Sequence, residues 1–108
     1  MSRNAVAFEV IEFEELKRPG AYRFLYNFLG IDERRVGIEH GCPCGCGGIT
    51  ALFFRGTRAD GNPKWDVSGE WPKVTLSPSI GIKYDGAGNG PTLYHWHGYL
   101  ENGVFVER

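Results

Sequence analysis

Every cysteine in the chain falls within one nine-residue stretch, His40-Gly41-Cys42-Pro43-Cys44-Gly45-Cys46-Gly47-Gly48, at alternate positions with only Pro and Gly between them. Thiolates are strong, soft ligands for zinc. On a straight strand, residues two apart hold their sulfurs too far from each other, because zinc–sulfur bonds of about 2.3 Å set the sulfurs only about 4 Å apart. Pro43 and Gly45 are spacers that let the chain bend around an ion. Three sulfurs do not complete a tetrahedral site, so a second half is required. It is sought some fifty residues on, in Tyr94-His95-Trp96-His97-Gly98. On a strand His95 and His97 share one face and Trp96 takes the other. The candidate ligands are therefore Cys42, Cys44, Cys46, His95 and His97, five residues for four positions, with His40 a weaker sixth. Zinc is the expected ion and iron a distant second.

An odd number of cysteines at this spacing does not suit a disulfide, and metal binding in a reducing compartment explains them better. The N-terminal residues lack the pattern of a signal peptide and no stretch has transmembrane length, so the expected location is cytoplasmic and away from membranes. Twelve Lys and Arg against thirteen Asp and Glu leave a net charge of −1, which gives no global field towards nucleic acid. A mixed-sign solvated surface is the expected state of Lys17, Arg18, Arg23, Arg34 and Arg35, which follow an acidic run.

These ligands must be held by a small framework. With 108 residues, 42% of them hydrophobic, the chain is read as one domain over 1–108 with a modest core that a metal would reinforce. Sixteen glycines and six prolines argue against long helices. The expected fold is mainly β, a small antiparallel, sandwich-like sheet structure stapled by zinc, with little or no helix. Strands are expected over 5–13, from Val6, Phe8 and Val10 at period two, and over 21–28, 35–39, 49–54 (as a buried strand) and 64–67. Pro78 within 74–80 implies a fixed bend or a sheet edge. The segments 55–63 and 84–91 read as loops. Asn102-Gly103 between two β-forming runs, 92–100 and 104–106, is a hairpin signal. The cysteine segment becomes a metal-bound turn between two strands.

Three motifs together, Cys42 to Gly47, Leu76-Ser77-Pro78-Ser79-Ile80 and Tyr94 to Gly98, resemble the signature of a largely uncharacterised family of small bacterial and phage proteins. The resemblance covers roughly residues 20 to 106. It implies a zinc site and an accessory role, in some members beside ubiquitin-like conjugation components. The chain departs from the family pattern at Tyr94, where a fourth cysteine is expected, and this moves ligand duty towards His95 and His97. An ammonia monooxygenase label attached to some members finds no support, since neither a copper-type histidine set nor a membrane span is present.

The leading functional expectation is a non-enzymatic zinc module whose surface binds a protein partner, with Trp65, Trp71 and the glycine loop 85–90 as candidate contacts. An alternative is a zinc-dependent hydrolase using His95, His97 and one cysteine, with Glu39, Asp66, Glu70 or Glu101 as general base. A nucleic-acid-binding zinc module comes third, weakened by the net charge and by glycines where lysines would be needed.

Overall fold

The computed structural model describes residues 3–26, 35–56, 64–83 and 94–108. The described residues form ten strands: β1 (Ala5–Val6), β2 (Phe8–Glu9), β3 (Ala21–Tyr26), β4 (Arg35–Gly41), β5 (Ile49–Phe54), β6 (Lys64–Ser68), β7 (Thr75–Ser77), β8 (Ile80–Lys83), β9 (Tyr94–Glu101) and β10 (Val104–Glu107). A 3-10 helix, Phe13–Lys17, lies between β2 and β3. Two sheets result, one ordered β1-β10-β9-β8 and the other β2-β3-β4-β5-β6-β7. Neighbouring strands pair antiparallel except β2 with β3 and β5 with β6. The mainly β, two-sheet expectation holds. Residues 55–56 lie outside any strand, as expected of the loop 55–63, whereas the rest of that loop, the expected loop 84–91 and the strand residues 27–28 and 92–93 lie outside the described residues.

One core serves both sheets. Tyr22, Phe24, Ile38 and Leu52 from the larger sheet meet Ile80, Trp96, Leu100 and Phe105 from the smaller, all buried. Alternation explains the choice in β9: Trp96, Gly98 and Leu100 point one way and are buried, while His95, His97 and Tyr99 between them are half-buried. Trp71 packs its ring against Tyr22 at 5.1 Å and Phe24 at 4.9 Å, and Trp65 also packs against the core, so both tryptophans are packing residues.

Two expectations are corrected. The run 5–13 is not one strand: Ala7 is buried and its N–H donates to the Gly103 carbonyl, so the chain leaves the smaller sheet after Val6 and joins the larger at Phe8. Phe13 then starts the 3-10 helix, whose N-terminus is closed by Glu12 and Glu15 in a capping box. In β5, expected as a buried strand, only Leu52 is buried and the other residues are half-buried or exposed. Pro78 does mark a bend. The chain crosses there from β7, the last strand of the larger sheet, to β8, the last of the smaller.

His40 is the one buried polar side chain among the described residues. Its ring stacks on Phe105 at 4.8 Å, Nδ1 bonds the Gly41 carbonyl at 3.0 Å, and Nε2 has no partner. Burial lowers its pKa from 6.5 to about 4, against the weaker pull of the Gly41 carbonyl. The unfolded chain therefore takes up a proton that the folded chain refuses. The resulting stability is complete above about pH 6.5 and is lost as the pH falls towards about 4. Chemical denaturation across this window should show a steeper pH slope for the parent than for His40→Leu, by up to about 1.4 kcal/mol per pH unit. Equal slopes would assign the acid sensitivity to other groups.

Candidate metal centre and serine–histidine pair

The cysteines sit at the closed end of the β4–β5 hairpin. Beyond the last ladder pair, Gly41 with Ile49, the Cys42 N–H donates to the Gly48 carbonyl at 2.8 Å and the Gly45 N–H to the Cys42 carbonyl at 3.0 Å. Gly45 and Gly47 both adopt φ of +87°, a conformation that residues with a Cβ take reluctantly. These two spacers curl the loop, so that sulfurs which a straight strand would separate come together.

The Sγ atoms of Cys42 and Cys44 lie 3.2 Å apart. The His95 ring stands against all three sulfurs: Nδ1 is 3.8 Å from Cys42 Sγ and 3.7 Å from Cys46 Sγ, and Nε2 is 3.2 Å from Cys44 Sγ. One ligand atom from each of Cys42, Cys44, Cys46 and His95 lies within 4.8 Å of the others. A tetrahedral zinc with bonds of about 2.0–2.3 Å requires spacings of about 3.5–4 Å. The donor set and its dimensions therefore fit a metal of zinc type. Burial, with neighbouring sulfurs adding to it, pushes the Cys42 thiol up to about 12. A bound ion would reverse that preference by stabilising the thiolate. The cluster ties the β4–β5 hairpin, in the larger sheet, to β9 in the smaller.

His97 is not in this cluster, and neither is His40. The expected convergence of His95 and His97 on one ion fails for a reason visible in the pairing of β8 with β9. Ile82 pairs with Trp96 and Lys83 with Tyr94, so His95 is the extra residue of a bulge. Bulges re-aim side chains. His95 turns to the sulfurs, and His97 keeps regular register.

That register brings His97 to Ser79, a residue whose type and position carry no chemical signal in the sequence. Gly81 is directly opposite His97, and Ser79, two residues before Gly81, is therefore a diagonal neighbour on the same face. The His97 Nε2 lies 3.1 Å from Ser79 Oγ. On its other side, His97 Nδ1 lies 3.1 Å from the main-chain oxygen of Arg108. Ser79 follows Pro78 in the crossover between sheets, half-buried and outside both ladders, and Trp65 Nε1–H donates to its main-chain oxygen at 3.3 Å. A serine hydroxyl within reach of an imidazole whose second nitrogen is itself held is the arrangement of an activated nucleophile. The signal available in the sequence was the Pro78-Ser79-Ile80 motif, which carried no chemistry by itself. Among the described residues, none of the carboxylates considered as a zinc-site base joins the cluster; Glu39 pairs with Arg23, Asp66 with Arg55 and Glu101 with Arg108.

Fold and site together define a class: a small two-sheet β protein in which a cluster of three cysteines and one histidine takes its histidine from the strand that also carries the histidine of a serine–histidine pair. More specifically, the chain belongs to the BubE family, described as the serine protease of a bacterial ubiquitination-like system, whose model matches residues 16–107. No curated protein and no solved structure gives a significant match. No helix among the described residues is long and apolar enough to cross a membrane.

Proposed function

We propose that this chain is a serine peptidase that cleaves a protein component of a bacterial ubiquitination-like system, with Ser79 as nucleophile, His97 as general base and zinc as a structural staple. The observation that carries the reading is the 3.1 Å approach of His97 Nε2 to Ser79 Oγ, in a chain whose family description names a serine protease. Ser79 Oγ attacks the scissile carbonyl carbon as its proton passes to His97 Nε2. The tetrahedral intermediate collapses when His97 returns that proton to the leaving group. Water then repeats the sequence on the acyl-serine, releasing the new carboxylate and the free enzyme.

The protein partner expected from the sequence becomes the substrate on this reading. A zinc held by all four of Cys42, Cys44, Cys46 and His95 would leave no position for a reactive water, which supports a structural role and weighs against the zinc-hydrolase alternative. When bound, the ion would supply a cross-link between sheets; the chemistry belongs to Ser79 and His97.

The test is cleavage of the system's ubiquitin-like protein carrying a reporter on its C-terminus, with products weighed by mass spectrometry. A single cut that a fluorophosphonate suppresses supports the proposal. A cut that proceeds in the presence of the fluorophosphonate and in Ser79→Ala would instead support metal hydrolysis.

A further inference from the structure

A serine and a histidine are a weak pair unless the imidazole presents a lone pair to the hydroxyl. In the neutral ring one nitrogen carries hydrogen and the other does not, and the partner of the first decides the role of the second. We propose that Arg108 is the positioning residue for this site: its main-chain oxygen holds His97 as the Nδ1–H tautomer and so leaves the Nε2 lone pair facing Ser79. The inference rests on the reading of Ser79 and His97 as nucleophile and base.

The geometry supports it from three sides. A main-chain oxygen can only accept, so the 3.1 Å contact with His97 Nδ1 requires the hydrogen to be on that nitrogen. The Arg108 N–H donates to the His97 carbonyl at 2.9 Å, continuing the ladder one step past the pair of Glu107 with Gly98. The oxygen of Arg108 is thus tied to the backbone of the residue it orients. Its side chain adds a second anchor, with Nη2 donating to Glu101 Oε2 at 3.1 Å.

Gly98 makes the approach possible. A Cβ there would lie 2.0 Å from the Val106 oxygen and 2.8 Å from the Trp96 ring, so a larger residue would push β10 away from β9 beside His97. When Ser79 gives up its proton to Nε2, the same Arg108 oxygen faces an imidazolium. It then supports the charge that forms, a role that a buried carboxylate performs in other serine hydrolases.

The experiment compares the 108-residue chain, the chain stopped after Glu107 and Arg108→Ala, which restores a main-chain oxygen without the side chain. Two signals are read: the rate of acylation by a fluorophosphonate and the ¹⁵N spectrum of the His97 ring. In the parent, the neutral ring is expected to show hydrogen on Nδ1. The shortened chain is expected to acylate at least about tenfold more slowly and to lose that tautomer preference. Arg108→Ala should recover most of the lost rate and the parent ring spectrum.

A parent ring with its hydrogen on Nε2 would overturn the proposal without recourse to any variant. So would a shortened chain that acylates at the parent rate. Absence of acylation in the parent would sink the serine-peptidase reading instead, while the ring spectrum would still decide what Arg108 does.

Discussion

Ser79→Ala is expected to abolish cleavage, lowering the rate by at least about four orders of magnitude while leaving melting temperature and metal content where they were. Ser79 is half-buried, outside both sheet ladders, and its hydroxyl meets His97, so its removal takes away little but the nucleophile. His97→Ala should cost a similar factor. The double variant should be little worse than either, because a nucleophile and its base act as one unit and their losses do not add. Steady-state rates of the three variants provide the measurement. A Ser79→Ala enzyme with a tenth of the parent rate would place the chemistry elsewhere.

Cys44→Ala is expected to release the metal and destabilise the fold by at least about 3 kcal/mol, because in a small domain metal-binding free energy is folding free energy. For this size of domain the melting temperature should fall by more than about 10 °C. The cluster joins a hairpin of one sheet to a strand of the other, so its loss should loosen the contact between sheets and not merely one turn. His97→Ala distinguishes the two sites, since it should keep one metal per chain and nearly the parent stability. Metal analysis with thermal melts decides. A Cys44→Ala protein that keeps its metal, or a His97→Ala protein that loses it, would contradict the separation of metal cluster and serine–histidine pair.

The sequence was informative where a residue's chemistry is short-range. Cysteines at alternate positions with glycine spacers announce a curled metal loop, and Asn102-Gly103 announces a hairpin, which the structure closes with φ of 46° and 81° at those residues. Pro78 announced a bend. What the sequence could not carry was register. Two histidines two apart on a strand look like one bidentate face, and only the pairing of Ile82 with Trp96 and Lys83 with Tyr94 shows the bulge that separates them. Ser79 was hidden for the same reason, since its nearness to His97 comes from the pairing of Gly81 with His97 across two strands. The N-terminal run failed differently. Val6, Phe8 and Val10 alternate as a strand does, yet the buried Ala7 hands the chain from one sheet to the other, a tertiary event that no local pattern records.

The measurement to make first is covalent labelling of the zinc-loaded protein with a fluorophosphonate, followed by peptide mass spectrometry to find the modified residue. The proposal predicts one adduct per chain, on Ser79, absent from His97→Ala and present in His40→Leu. Labelling spread over several serines, or none on a folded protein that still cleaves its substrate, would contradict it.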